Sequence, residues 1–170
     1  MQKQNMISSL VKPLLLVLLL FPGICFSGEK YNDSAALKDL KVAKSVFLID
    51  FTSANKTDFY LKIIKGSFNN LLKQNVKPEF VLVFIGKTVT FLTTEPDDEI
   101  EMEYAAQLKS IAATAKELKQ LGVRMEVCAV ATDVFKVKNN TILPSMDVVG
   151  DGFISLIGWQ NQGYKLVPIF

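Results

Sequence analysis

Histidine is absent from this 170-residue chain. Without imidazole there is no Ser-His-Asp triad, no Cys-His dyad and no histidine-bound zinc. Cysteine is nearly absent as well, with only Cys25 and Cys128. Charge of neither sign dominates, since 19 basic residues face 17 acidic ones. Removing residues 1–27 takes away Lys3 and Lys12 and leaves 17 of each, a neutral chain with none of the basic excess that nucleic-acid binders carry. The phosphate-loop spacing is missing too, so Gly86-Lys87 reads as a turn.

The one compact apolar run, Leu14 to Phe21, is shorter than the roughly 20 residues a membrane-spanning helix needs. Lys3 and Lys12 precede it, Pro22-Gly23 follow, and Cys25 and Ser27 supply small residues before Gly28. This is the pattern of a secretory signal peptide over residues 1–27, cleaved near Ser27/Gly28, and it predicts a periplasmic or secreted protein with no membrane contact afterwards. Residues 28–44 read as an N-terminal extension and 45–170 as the folded domain. Cleavage leaves Cys128 as the only thiol. That excludes an internal disulfide and an internal CxxC couple, and leaves Cys128 either a small core residue or a reactive group.

What is present alternates between two periods. Ser45 to Phe51, Phe80 to Ile85, Arg124 to Val130 and Lys165 to Ile169 are rich in β-branched and apolar residues. Met146 to Val149 is a candidate fifth strand, and Thr88 to Thr93 reads either as strand or as connector. Between them lie helical stretches. One carries Phe59, Ile63, Ile64, Phe68, Leu71 and Leu72. A second, from Asp98 to Leu121, carries Ile100, Tyr104, Leu108, Ile111, Ala115 and Leu118 and ends at Gly122, and a third covers Gly152 to Gln160. The alternation predicts a single-domain α/β three-layer sandwich around a mostly parallel sheet.

In such sheets ligands gather beyond the carboxyl ends of the strands, and Cys128 lies near one. Thr132 or Asp133 is a candidate cap for a following turn, where amides favour an anionic sulfur. The acids Glu95, Asp97, Asp98, Glu99, Glu101 and Glu103 read as the solvated opening of the long helix, and no calcium-loop spacing accompanies them. Trp159 and Tyr164 read as packing residues before ligand-stacking ones. No metal or cofactor is expected.

Three stretches together resemble the DsrE/DsrF-like family, which includes the sulfur-carrier subunits of the DsrEFH and TusBCD complexes. They are FVLVFIGKTVTFL (80–92), LKQLGVRMEVCAVA (118–131) and LPSMDVVGDGFISLIGWQNQGYKLVPI (143–169). The resemblance implies a DsrEFH-like fold with flavodoxin-like topology and a homo-oligomer, trimer or hexamer. It also implies a persulfide-carrying role for Cys128, fed by a sulfur-donor protein or small sulfur compound and passing sulfur to an acceptor. Helix-terminal amides or Lys87 are candidate activators of the thiol. The competing expectation is an oligomeric binding or assembly module of the same fold with a structural cysteine.

Overall fold

The computed structural model describes residues 32–169. The signal-peptide reading, with Cys25, lies outside the described residues. Five strands form one parallel sheet: β1 Val42–Ile49, β2 Lys77–Phe84, β3 Arg124–Cys128, β4 Asp147–Val149 and β5 Lys165–Pro168. Their order across the sheet is β4-β3-β2-β1-β5. The chain therefore steps outward from β1 to β4 in one direction and then returns to set β5 against β1. This order differs from the flavodoxin-type order 2-1-3-4-5, although both wind helices over the two faces.

Right-handed crossovers dictate where the helices go. α1 (Ala54–Lys73) and α2 (Asp98–Gln120) serve steps in the outward direction and lie side by side on one face. α4 (Gly152–Asn161) serves the return step and lies on the other, over β1, β2 and β3. The strands show this division in their alternation. Phe80 packs edge-on against Phe68 of α1, whereas Val83 and Ile85, out of phase with it, meet the start of α4 at Gly152. β1 and β2 read as nearly continuous apolar runs because both of their faces are covered.

Several boundaries move from their expected places. β1 starts at Val42, and its last expected residues, Asp50 and Phe51, lie beyond it. In α1 the residues facing the core are Ala54, Thr57, Leu61, Ile64 and Phe68, while Phe59, Ile63 and Leu72 are exposed. The expected stripe merged two sides of the helix, since only the first set keeps an unbroken three-four spacing. α2 carries a non-helical residue at Tyr104 (φ −126°, ψ 18°), so its buried stripe is full only at Ile111, Thr114, Ala115 and Leu118. Gly122, with φ +85°, ends it as expected. Thr88 to Thr93 is neither strand nor plain connector, because Gly86–Phe91 forms a 3-10 turn.

The largest departure falls at the cysteine. β3 ends at Cys128, and Ala129–Val134 is a short helix, α3, for which Cys128 is the N-cap residue. Val130, expected to flank the thiol in the core, is exposed. A run such as Ala-Val-Ala satisfies a buried strand or a helical turn equally well, and here the two alanines take the helical one.

Candidate functional site

Four consecutive strands deliver one residue or turn each to the carboxyl edge of the sheet. β1 is followed by Asp50, β2 by Ile85-Gly86, β3 ends on Cys128, and β4 is followed by Gly150-Asp151. Asp50, Ile85, Gly86, Cys128 and Asp151 border a cavity of about 330 Å³. Asp50, Asp151 and Cys128 are its polar groups, and Ile85, Val134 and Phe153 are among the apolar ones.

Cys128 is 4% exposed and its sulfur is not solvated freely. The Gly152 N–H donates to Sγ at 3.1 Å. Gly152 is the first residue of α4, so the sulfur occupies the positive end of a ten-residue helix. The other leading amides of that helix are taken by Asp151, whose Oδ1 accepts from Phe153 N at 2.8 Å and Ile154 N at 3.4 Å. The helix thus divides its unpaired donors between a thiol and a carboxylate.

The approach of α4 to Cys128 depends on the missing side chain of Gly152. A Cβ there would lie 2.6 Å from Ile85 Cγ2, 3.1 Å from Cys128 Cβ and 3.4 Å from Val83 Cγ1. Glycine at this position is a packing requirement and not a conformational one.

Asp50 is held from both sides. The carbonyl of Ile49 accepts from Ile85 N at 3.0 Å. Thr88, fully buried in the 3-10 turn, receives the Phe51 N–H on Oγ1 and donates to the Phe51 carbonyl at 3.1 Å. Gly86 has φ +56°, and a Cβ on it would fall 2.1 Å from Asp50 Oδ1, so the carboxylate lies directly against the glycine backbone. The turn expected at Gly86 is there, and its function is to seat an acid.

Two residues above Cys128 on the same face of β3 sits Glu126, which is 3% exposed. Its carboxylate takes Arg124 Nε at 2.5 Å, Trp159 Nε1 at 3.0 Å and the Ser155 hydroxyl. The Arg124 guanidinium also lies 5.7 Å from the Trp159 ring centre, and Trp159 meets Tyr164 edge-on at 4.9 Å. Trp159 and Tyr164 are therefore packing residues that pin α4 to the sheet. Burial raises the Tyr164 hydroxyl above its ordinary pKa, with Glu79 adding to the shift.

Of the residues singled out in the sequence, Cys128 and Gly86 border this cavity, whereas Glu95 and Asp97 border a separate one and Trp159 another. The amide beside its sulfur comes from Gly152 on the neighbouring helix, not from a turn capped by Thr132 or Asp133. Lys87 is exposed and does not border the cavity. Asp97 caps α2 through Glu99 N at 3.0 Å, Glu95 pairs with Lys138 at 3.1 Å, and the remaining acids of that group face solvent. Among the described residues, no three His, Cys, Asp or Glu side chains converge as a metal site would require. Asp50, Asp151, Gly152 and Glu126 were not anticipated. The only trace of them in the sequence is that each of the first three sits within three residues of a strand end.

A parallel α/β protein with one strand-end cysteine held against a helix N-terminus is the class these features define. The model of the DsrE/DsrF-like family matches residues 23–169, and the chain belongs to that family. Among solved structures it is similar to MTH1491 of Methanobacterium thermoautotrophicum, a protein of unknown function. That match has a TM-score of 0.57 and 18% identity, covering 77% of this chain and all of the other. It is also similar to the ychN protein of E. coli, with a TM-score of 0.53 and 13% identity, covering 76% of this chain and 99% of the other. At these identities the likeness is one of fold. No match is found among curated proteins.

Proposed function

We propose that this chain is an exported sulfur carrier in which Cys128 accepts sulfane sulfur as a persulfide and relays it to a partner. The observation that carries the reading is the Gly152 N–H directed at Sγ from the head of α4, with the sulfur at the wall of a cavity. A fixed amide donor and the positive helix end stabilise negative charge on sulfur, which is what nucleophilic attack on a sulfur–sulfur bond requires. Family membership supports the same chemistry. Relay needs no second cysteine in the chain, because the acceptor supplies its own.

The same reading takes the protein to be a homo-oligomer. α4 contains no charged residue, and Phe153, Ile154 and Ile157 are 59%, 68% and 59% exposed. A second copy covering this face would remove an apolar patch that water does not favour. Light scattering on the protein and on Ile154→Lys tests this, with loss of the assembly expected in the variant.

For the carrier function, the folded protein is treated with an alkyl hydropersulfide whose R group is uncharged and weighed intact. A gain of one sulfur atom in the native chain, absent in Cys128→Ala, is expected. The competing reading, an assembly module with a structural cysteine, draws on the 4% exposure of Cys128. It is favoured if no adduct forms and a small alkylating reagent labels the thiol only after unfolding.

A further inference from the structure

The charges around the cavity say which donors reach Cys128. Two carboxylates, Asp50 and Asp151, border it together with the thiol, and among the described residues no lysine or arginine does. Lys87 and Lys136 adjoin cavity residues in sequence yet lie outside it. Neither acid forms an ion pair among the described residues. Asp151 is fixed by capping α4, and Asp50, an exposed residue, lies with its carboxylate against Gly86 while the Thr88–Phe51 bonds hold the backbone that follows it. Ile85, Val134 and Phe153 complete an apolar lining. A volume near 330 Å³ suits a small organic molecule.

Resting on the carrier reading above, we infer that the cavity selects organic hydropersulfides in their protonated form, R–S–S–H, with an uncharged or cationic R group, as donors and rejects sulfur oxyanions such as thiosulfate. The transfer is redox-neutral. The Cys128 thiolate attacks the outer sulfur, the Sγ–S bond forms as the donor S–S bond breaks, and the electron pair departs on R–S⁻. The proton stays on the transferred sulfur, giving Cys128–S–S–H. With thiosulfate the same displacement would bring a dianion to two carboxylates and release sulfite dianion beside them, with no positive side chain to receive either. Asp50 is the stronger discriminator, because the charge of Asp151 is partly offset by the helix amides it caps.

The test separates charge selection from sulfur carriage. Disulfide exchange at Cys128 is timed on the folded protein with cystamine (cationic), hydroxyethyl disulfide (neutral) and dithiodiglycolate (anionic), each rate divided by that of a free low-mass thiol. The expected order is cationic, neutral, anionic, with the extremes about tenfold apart at low salt and closer at about 0.5 M salt. Asp50→Asn raises the anionic rate about three- to fivefold, and Asp151→Asn, which keeps a capping side chain, raises it less. Loading by a neutral alkyl hydropersulfide is then compared with loading by thiosulfate, read as mass gained. A flat or reversed order, no response to Asp50→Asn, or thiosulfate loading as fast as the hydropersulfide overturns the inference and leaves carriage standing. The expected order with no persulfide from either donor overturns carriage and leaves charge selection standing.

Discussion

Replacing Gly152 with alanine tests the geometry of the site through one methyl group. At an unobstructed helical position the change stabilises by about 0.5–1 kcal/mol, since alanine loses less backbone freedom on folding. Gly158, in the same helix with nothing within 4 Å of a built Cβ, supplies that control. At Gly152 the added carbon meets Ile85 Cγ2 at 2.6 Å and Cys128 Cβ at 3.1 Å, both on side chains locked in the core. Relief requires α4 to back away from β2 and β3, and overpacking of this kind costs about 1–3 kcal/mol. The two alanine variants should therefore differ by about 1.5–4 kcal/mol in urea unfolding, with Gly158→Ala above the wild type and Gly152→Ala below it. Retreat of the helix also lengthens the 3.1 Å Gly152 N–Sγ contact, so thiol alkylation should slow in Gly152→Ala and not in Gly158→Ala. Trimming Ile85 to alanine in the Gly152→Ala background removes the nearest clash, and the double variant should lose at least about 1 kcal/mol less than the sum of the singles. Equal stability of the two glycine variants, or an unchanged alkylation rate in Gly152→Ala, would refute the close approach of α4 to the thiol.

Glu126→Gln leaves Arg124 Nε without its carboxylate and weakens the Trp159 and Ser155 bonds. A loss of about 1.5–3 kcal/mol is expected, with a red shift of the fluorescence of Trp159, the chain's single tryptophan. Thr88→Val strands the buried N–H and carbonyl of Phe51 at nearly constant side-chain volume. It should cost about 2–4 kcal/mol by thermal or urea unfolding. Tyr164 has a raised pKa in the fold, from burial first and Glu79 second. Its contribution is fully present below the unfolded tyrosine value of about 10 and is lost as pH rises through the higher folded value. Tyr164→Phe should flatten the alkaline fall in stability measured by urea unfolding.

The parts of this fold that were legible in the sequence are those set by one segment at a time. Val46 to Ile49 and Phe80 to Ile85 are apolar on both faces because helices cover both, and Gly122 ends α2 through a local backbone requirement. Cys128 could be placed at a strand end for the same reason. Its surroundings could not, because they are assembled from segments far apart in the chain. Asp50 precedes the thiol by two helices and two strands, and nothing near it in sequence marks it as a cavity residue. Glu126, a charge inside an apolar run, gives no local sign of burial, since its partners Ser155 and Trp159 belong to a helix two connections later. The end of β3 was misplaced because Ala129 and Val130 fit two backbone geometries, and contacts beyond the segment decide between them.

The strand order carries a consequence for how the site comes into being during synthesis. β5 pairs with β1, Ser45 opposite Lys165, so the sheet joins almost the first folded residue to almost the last. α4 lies just before β5, and it carries the amide that meets Cys128. The cysteine strand therefore precedes, in the order of synthesis, the helix that completes its surroundings. Pairings this distant in sequence close late in folding. The thiol spends the interval as an ordinary cysteine, and acquires its partner amide only when the C-terminal segment docks.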